Sequence, residues 1–254
     1  MDSGQEQRRT TRVLAVQIDA LNEEQAVGRI VRWAHQAESR YVAICNSHVV
    51  VTGSREPEFA EVLAQADMAT PDGAPVAWVM RKLGYAGQPR VSGPDLMLAL
   101  CERAEYEELP IYLFGSSEQT LRLLVANLTK LYPKLNIAGT CSPPFRKLSA
   151  EEDDELVGRV VESKARIVFV GLGCPKQERW MYEKKGRINA VMLGVGAAFD
   201  FHAGTITRAP LWMRNNGLEW LHRLFSEPRR LWKRYLITNF LFVLGAARQL
   251  ASRT

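Results

Sequence analysis

Two turns in this chain carry the side chains whose types and spacing suit group transfer. Thr70-Pro71-Asp72-Gly73 sets a carboxylate on a tight Pro/Gly turn, and Arg90-Val91-Ser92-Gly93-Pro94-Asp95-Leu96 begins eighteen residues after that aspartate. Turns of this kind close strands and open helices, where ligands commonly bind. A fixed carboxylate can take a proton from a hydroxyl, and a fixed guanidinium can grip a phosphate by two hydrogen bonds. Pro-Asp-Gly is also an ordinary β-turn sequence, and Arg90 and Asp95 read equally as a surface arginine and a helix-start acid.

Two further junctions could receive phosphate. Leu113-Phe114-Gly115-Ser116-Ser117 and Val170-Gly171-Leu172-Gly173-Cys174-Pro175-Lys176-Gln177-Glu178 each run from strand through glycine to helix. Glycine lets the backbone approach an anion, and the following helix offers unpaired N–H groups at its positive end. Neither matches a dinucleotide or P-loop fingerprint, and each reads as well as a plain connection. Glu178 in a first helical turn also suits the helix dipole; Gln177 gains little from it, which favours a base- or ribose-facing role. Asn46-Ser47-His48 follows a strand, either to cap a helix or to bond sugar hydroxyls near Asp72. His48 has no second histidine at ligand spacing. There is no Asp-x-Asp, the usual carboxylate pair for a divalent ion on a nucleotide-sugar diphosphate. That points to arginines and helix N-termini as the stabilisers of a leaving group, with no metal.

The elements that position these residues alternate. Val13–Ile18 reads as a strand, 22–36 as a helix, and Tyr41–Cys45 as a second strand. Helices over 56–66 and 75–83 flank the aspartate turn, and Pro94 suits the first position of a helix through Glu105. Then come strand 111–114, helix 118–131, strand 136–139, a helix from the capping box Ser149-Ala150-Glu151-Glu152 to Lys164, strand 167–170, helix 176–184 and strand 191–195. Strands alternating with helices predict an α/β, Rossmann-like, largely parallel sheet flanked by helices. Beyond Gly204 the alternation ends. Residues 1–204 read as a catalytic core and 205–254 as a basic helical C-terminal appendage.

Charge divides the same way. Residues 205–254 hold nine Lys/Arg and two Glu, whereas the first 204 residues hold 24 basic and 26 acidic side chains. Trp212, Trp220 and Trp232 lie among the appendage's arginines, and the nearly uncharged run 236–247 is too short to span a bilayer. Basic helices with aromatic edges suit a membrane surface; a helix pair packed on the sheet is the plainer reading. The density of tryptophan argues against a nucleic-acid arm. The four scattered cysteines read as reduced thiols, and polar residues 1–12 show no signal peptide, so a cytoplasmic setting is expected.

Taken in order, these motifs resemble the WecG/TagA/CpsF family of bacterial glycosyltransferases from about Val13 to Arg234. The resemblance rests on Asn46, Pro71-Asp72-Gly73, the Arg90–Leu96 turn, Gly173-Cys174-Pro175-Lys176-Gln177-Glu178, 194–200 (Gly-Val-Gly-Ala-Ala-Phe-Asp), Arg208-Ala209-Pro210, and 217–224 (Gly-Leu-Glu-Trp-Leu-His-Arg-Leu). It implies an inverting, metal-independent transferase that needs no cofactor. The donor would be a UDP-sugar, and the acceptor a polyprenyl-diphosphate-linked sugar at the inner face of the cell membrane. It also implies a Rossmann-like core of unusual topology, with an appendage that completes the site. Asp72 matches the family's general base, Arg90 the arginine beside it, and Gln177 a polar position of the pocket. Arg223 and Arg230 match arginines that meet diphosphate. This chain has Ile44-Cys45-Asn46 where the family often has Thr-Pro-Asn, so N-acetylmannosamine-type and glucose-type donors both stay open. A homo-oligomer is compatible with the sequence.

The expected reaction is a single displacement with Asp72 as base, Arg90 near it, and Asn46, Gly73, Asp95, Gly115, Gly173, Gln177, Glu178, Arg223 and Arg230 around the substrates. A non-catalytic nucleotide-binding scaffold at the membrane, and a nucleotide-dependent enzyme such as a methyltransferase, are the alternatives.

Overall fold

The computed structural model describes residues 8–146 and 148–252, with the side chain of Arg230 outside the description. The chain opens with an antiparallel hairpin, β1 (Thr10–Val13) and β2 (Val16–Asp19). The apolar run read as one strand therefore folds back on itself at Leu14, whose positive φ of 54° makes the turn. No glycine or asparagine marks that turn. α1 (Glu23–His35) follows from a complete Asn22/Gln25 capping box.

The sheet begins with β3 (Arg40–Cys45). α2 (Ser47–Arg55), α3 (Pro57–Ala64) and β4 (Met68–Pro71) follow. The aspartate turn thus closes a strand that was not expected, and α4 (Ala74–Lys82) leaves it. α5 (Gly93–Tyr106) takes Pro94 at its second position, not its first. The series continues as β5 (Ile111–Gly115), α6 (Glu118–Leu131), β6 (Ile137–Cys141) and α7 (Ala150–Glu162), then β7 (Ile167–Gly171), α8 (Lys176–Lys184) and β8 (Val191–Gly194). Both bonds of the predicted capping box at α7 form, Glu152 N–H to Ser149 Oγ and Ser149 N–H to the Glu152 carboxylate.

Six strands pair in the order β4-β3-β8-β7-β5-β6, all parallel. The fold is α/β, as the alternation implies. Strand side chains alternate between two cores, as the two-residue period requires. Tyr41, Ala43 and Cys45 of β3 join the core beneath the hairpin, α2, α3, α4, α7 and α8. Val42 and Ile44 join the opposite core with α1, α5 and α6. The carboxyl ends of β4, β3, β8 and β7 lie side by side on one edge of the sheet, the edge at which open α/β sheets bind ligands. Asn46, Asp72, Gly173 and the segment after Gly194 all begin there.

The last segment comprises α9 (Ala198–Ala203), α10 (Leu211–Asn215), α11 (Glu219–Ser226) and α12 (Pro228–Ala251). Leu231, Thr238, Phe242 and Ala246 of α12 are buried, and Phe242 and Ala246 belong to the hairpin-side core. At its far end Gln249 accepts from Leu14 N–H (2.8 Å) and donates to the Arg12 carbonyl (2.7 Å). One face of α12 is therefore fastened to the body. Leu236, Phe240 and Val243 are 66–67% exposed on another face. Among the described residues, no helix is long and apolar enough to cross a membrane.

Candidate active site

Asp72 is placed by backbone bonds at the end of β4. Its N–H donates to the Cys45 carbonyl (3.1 Å), tying the turn to the end of β3, and Val91 N–H donates to the Pro71 carbonyl (2.9 Å). Asp72 and the Arg90 turn are therefore stitched to the same strand ends. Gly73 has φ 84°, ψ 143°, a conformation that an L side chain rarely adopts. Its position is also hemmed by Asn46, whose Cβ lies 4.0 Å from where a Cβ on Gly73 would stand. Asn46 spends its side-chain oxygen on capping α2, accepting from His48 N–H (3.0 Å) and Val49 N–H (3.2 Å). The capping reading holds at Asn46, and the residue still borders the Asp72 turn.

The segment after α9 closes over this turn. A Cβ on Gly217 would meet Ala74 Cβ at 2.8 Å, so the chain before α11 lies against the first residue of α4. Arg90 Nη1 donates to Glu219 Oε2 (2.8 Å), and Arg90 Nη2 is 3.6 Å from Asp95 Oδ2. Arg208 donates twice to Asp95 (2.6 and 2.8 Å), and its Nε is 3.6 Å from Glu219 Oε1. Arg214 Nη1 is 3.5 Å from Asp95 Oδ1. Ser92 caps α5, its Oγ accepting from Asp95 N–H while its hydroxyl donates to the Asp95 carboxylate. Burial opposes the charge on Asp95, yet the Arg208 and Ser92 bonds hold its pKa down at about 2. Asp95 is thus a latch between α5 and the appendage.

Asp72 behaves differently. Among the described side chains no arginine or lysine pairs with its carboxylate. Burial raises its pKa to about 6; Arg90 pulls it back, Glu219 pushes it up, and Arg223 and the Gly73 backbone N–H pull it down. A carboxylate tuned to that value is a usable base near neutrality. Arg208, Arg214, Arg223 and Arg234 each keep a buried Nε without a hydrogen-bond partner among the described residues, and of these Arg223 acts on Asp72. Arg223 lies over the Phe201 ring at 5.4 Å, which fixes its guanidinium beside the turn. Arg234 approaches His48, whose pKa burial and that cation lower to about 4. Arg230 sits in the first turns of α12, with its side chain outside the described residues. Uncommitted guanidinium nitrogens in a partly dry cleft suit a diphosphate.

The glycine junctions are more closed than their sequence suggests. A Cβ on Gly115 would stand 2.6 Å from the Gly171 carbonyl carbon, so the ends of β5 and β7 are pressed together. Ser117 caps α6 by accepting from Thr120 N–H (3.1 Å). Gln177 is 4% exposed. Its Oε1 accepts from Gly173 N–H (3.1 Å), and its Nε2 donates to the Gly194 carbonyl (2.9 Å) and to Glu178 Oε1 (2.8 Å). The carboxamide positions the turn from beneath. Glu178 is fully buried, one oxygen lacks a partner, and burial lifts its pKa to about 7 against the pull of Gln177. Asn46, Asp72, Gly73, Arg90, Asp95 and Arg223 thus lie near one another at the carboxyl ends of β3 and β4, while Gly115, Gly173, Gln177 and Glu178 stand at the neighbouring strand ends of the same sheet edge. The sequence alone assigns no site role to Glu219 or Arg214. Glu219's signal was its sign: it is one of two carboxylates in a segment with nine cations.

Comparison with known proteins adds two findings. The family model described as "Glycosyl transferase WecG/TagA/CpsF family" matches residues 11–254. An N-acetylglucosaminyldiphosphoundecaprenol N-acetyl-beta-D-mannosaminyltransferase of Bacillus spizizenii (strain ATCC 23059 / NRRL B-14472 / W23) is 27% identical over 202 residues, covering 79% of this chain and 76% of the relative.

Proposed function

The chain belongs to the WecG/TagA/CpsF family of glycosyltransferases, and from that premise we propose that it moves a sugar from a UDP-sugar to a polyprenyl-diphosphate-linked sugar, with inversion, in cell-surface polysaccharide assembly. The observation that carries the reading is an Asp72 carboxylate with no ion-pair partner among the described side chains, within reach of Arg90 and of Arg223, whose Nε has no hydrogen-bond partner. Asp72 takes the proton from the acceptor hydroxyl as that oxygen attacks the anomeric carbon. The bond from that carbon to the UDP oxygen breaks, and the departing diphosphate leaves with the bonding pair. Arg223 and Arg234 offset the charge that develops, a role that needs no metal ion. Asn46 and Gly73 border the sugar, Arg90 orients the cleft, and Gln177 keeps the neighbouring turn in place. The chemistry matches the name of the Bacillus relative, whose acceptor is a diphosphoundecaprenol-linked sugar. The donor sugar stays open between N-acetylmannosamine-type and glucose-type.

The segment from residue 205 onward is the proposed membrane-facing appendage, working at the cytoplasmic face of the cell membrane. Leu211, Trp212, Phe225, Leu236, Phe240 and Val243 are exposed there, with Arg229 and Lys233 among them. Apolar and basic side chains on one surface suit an anionic bilayer. The test is a screen of UDP-sugars with a short-chain lipid-diphosphate-linked acceptor. Transfer from one donor supports the proposal; UDP binding with no transfer to any acceptor would favour the scaffold reading instead.

A further inference from the structure

The strongest unexplained relationship in the cleft is that a carboxylate from the appendage enters the surroundings of the base. Glu219 lies on α11, a helix with no buried residue, yet its side chain is only 18% exposed and is spent on two arginines. Those arginines come from different places: Arg90 from the turn before α5, and Arg208 from the segment after α9. Arg90 is the cation closest in effect to Asp72. Its Nη1 is turned to Glu219, and its Nη2 is shared at longer range with Asp95.

From this geometry we infer that Glu219 is a positioning residue for the transfer reaction: it holds Arg90 beside Asp72 without letting the two pair, so that docking of α11 both closes the cleft and leaves the base free. The inference rests on the proposed role of Asp72.

With Glu219 in place, the Arg90 guanidinium has a carboxylate partner at 2.8 Å and Asp72 has none among the described side chains. Without Glu219, the ion contact left to Arg90 among the described residues is the longer one to Asp95, which Arg208 already holds twice. Another carboxylate in its electrostatic reach is Asp72. A direct Arg–Asp pair would stabilise the ionised form of Asp72 and weaken it as a base. It would also occupy the oxygen that must receive the acceptor's proton. The groups facing Asp72 are Arg90, Glu219 and Arg223, with the Gly73 backbone N–H on its own turn and the Cys45 thiol at the end of β3. Removing Glu219 deletes the carboxylate among those groups that act on Asp72, so both changes push in one direction.

Glu219→Gln keeps the shape of the side chain and removes its charge. In the full-length protein with a short-chain lipid-linked acceptor, kcat/KM is expected to fall about tenfold or more, and the acid limb of the pH profile to move to lower pH. A latch that only held the appendage would lower the rate and raise KM for the acceptor with no displacement of that limb, which overturns the inference. Glu219→Asp keeps the charge but shortens the reach by a methylene, and its limb is expected to lie between wild type and Glu219→Gln. If Glu219→Gln loses its cooperative melt, Glu219→Asp alone decides: a displaced limb supports the role and an unmoved one overturns it. Titration of the Asp72 carboxyl by carbon NMR gives the same reading without turnover. A wild-type protein that transfers no sugar therefore defeats the proposed function, while an Asp72 titration indifferent to Glu219 defeats this inference.

Discussion

The Gln177 carboxamide nitrogen donates to the carbonyl of Gly194 at 2.9 Å, joining the first turn of α8 to the end of β8. Its oxygen holds Gly173 N–H at the same time, so one side chain closes the floor of the crevice between two strands. Gly194 must lack a side chain for this, since a Cβ there would fall 2.8 Å from Gln177 Nε2.

Replacing Gln177 by Ala should therefore act on the fold before it acts on a ligand. It leaves the Gly173 N–H and the Gly194 carbonyl without partners, at a cost on the order of 2–4 kcal/mol. The melting temperature should fall by roughly 4–8 °C for a chain of this size. Activity should decline with it. A melt within a degree or two of wild type, with donor KM sharply raised, would show that Gln177 meets the donor directly.

Glu178 makes a separate prediction about pH and stability. Its folded pKa of about 7 lies above its ordinary value of 4.5, so the folded state keeps a proton that the unfolded state has released. Stability is therefore fully expressed below about pH 4.5 as far as this group is concerned, and declines as pH rises toward 7, by about 3 kcal/mol at the limit. Glu178→Gln, neutral throughout, should flatten that decline and melt higher than wild type at pH 8. Equal melting of the two proteins across pH 5–8 would contradict the buried, protonated Glu178.

Much of the fold was legible because parallel strands covered on both faces read as apolar runs: β5, β7 and β8 are buried from end to end apart from a terminal glycine of β7. α6 and α8 begin and end where the pattern put them. What escaped was short or masked by propensity. β4 is only Met68–Pro71, and α2 contains Val49-Val50-Val51-Thr52, a β-branched stretch made helical by tertiary packing and the Asn46 cap. In the site, Asp72 and Arg90 were visible because each stands on a turn. The partner of Arg90 was not. A salt bridge spanning 129 residues leaves no local trace, and only the fold brings α11 to the β4 end.

The exposed stripe on α12 predicts surface binding. Leu236→Ser with Phe240→Ser removes two large apolar side chains that are 66% and 67% exposed, without touching the buried face of the helix. Partition onto vesicles containing anionic lipid should weaken about tenfold or more, given roughly 1.4 kcal/mol per factor of ten. The melting temperature should stay near that of wild type. Vesicle binding equal to that of wild type would remove this stripe from the membrane contact.

The base assignment sets the pH dependence of turnover. Asp72 is raised by burial to about 6, and it must be ionised to accept a proton. The profile of kcat/KM should rise through pH 6 from the acid side and level toward neutrality. A profile flat from pH 5 to 8 would place the proton elsewhere.

The most direct test of the account is the transfer rate of Asp72→Asn measured beside its affinity for UDP. Asparagine keeps the volume and the turn but has no basic oxygen lone pair for the acceptor's proton. The account predicts a loss of turnover of about a thousandfold or more, within the usual range for removal of a general base, and UDP affinity within a few-fold of wild type. Turnover close to wild type would contradict Asp72 as the base.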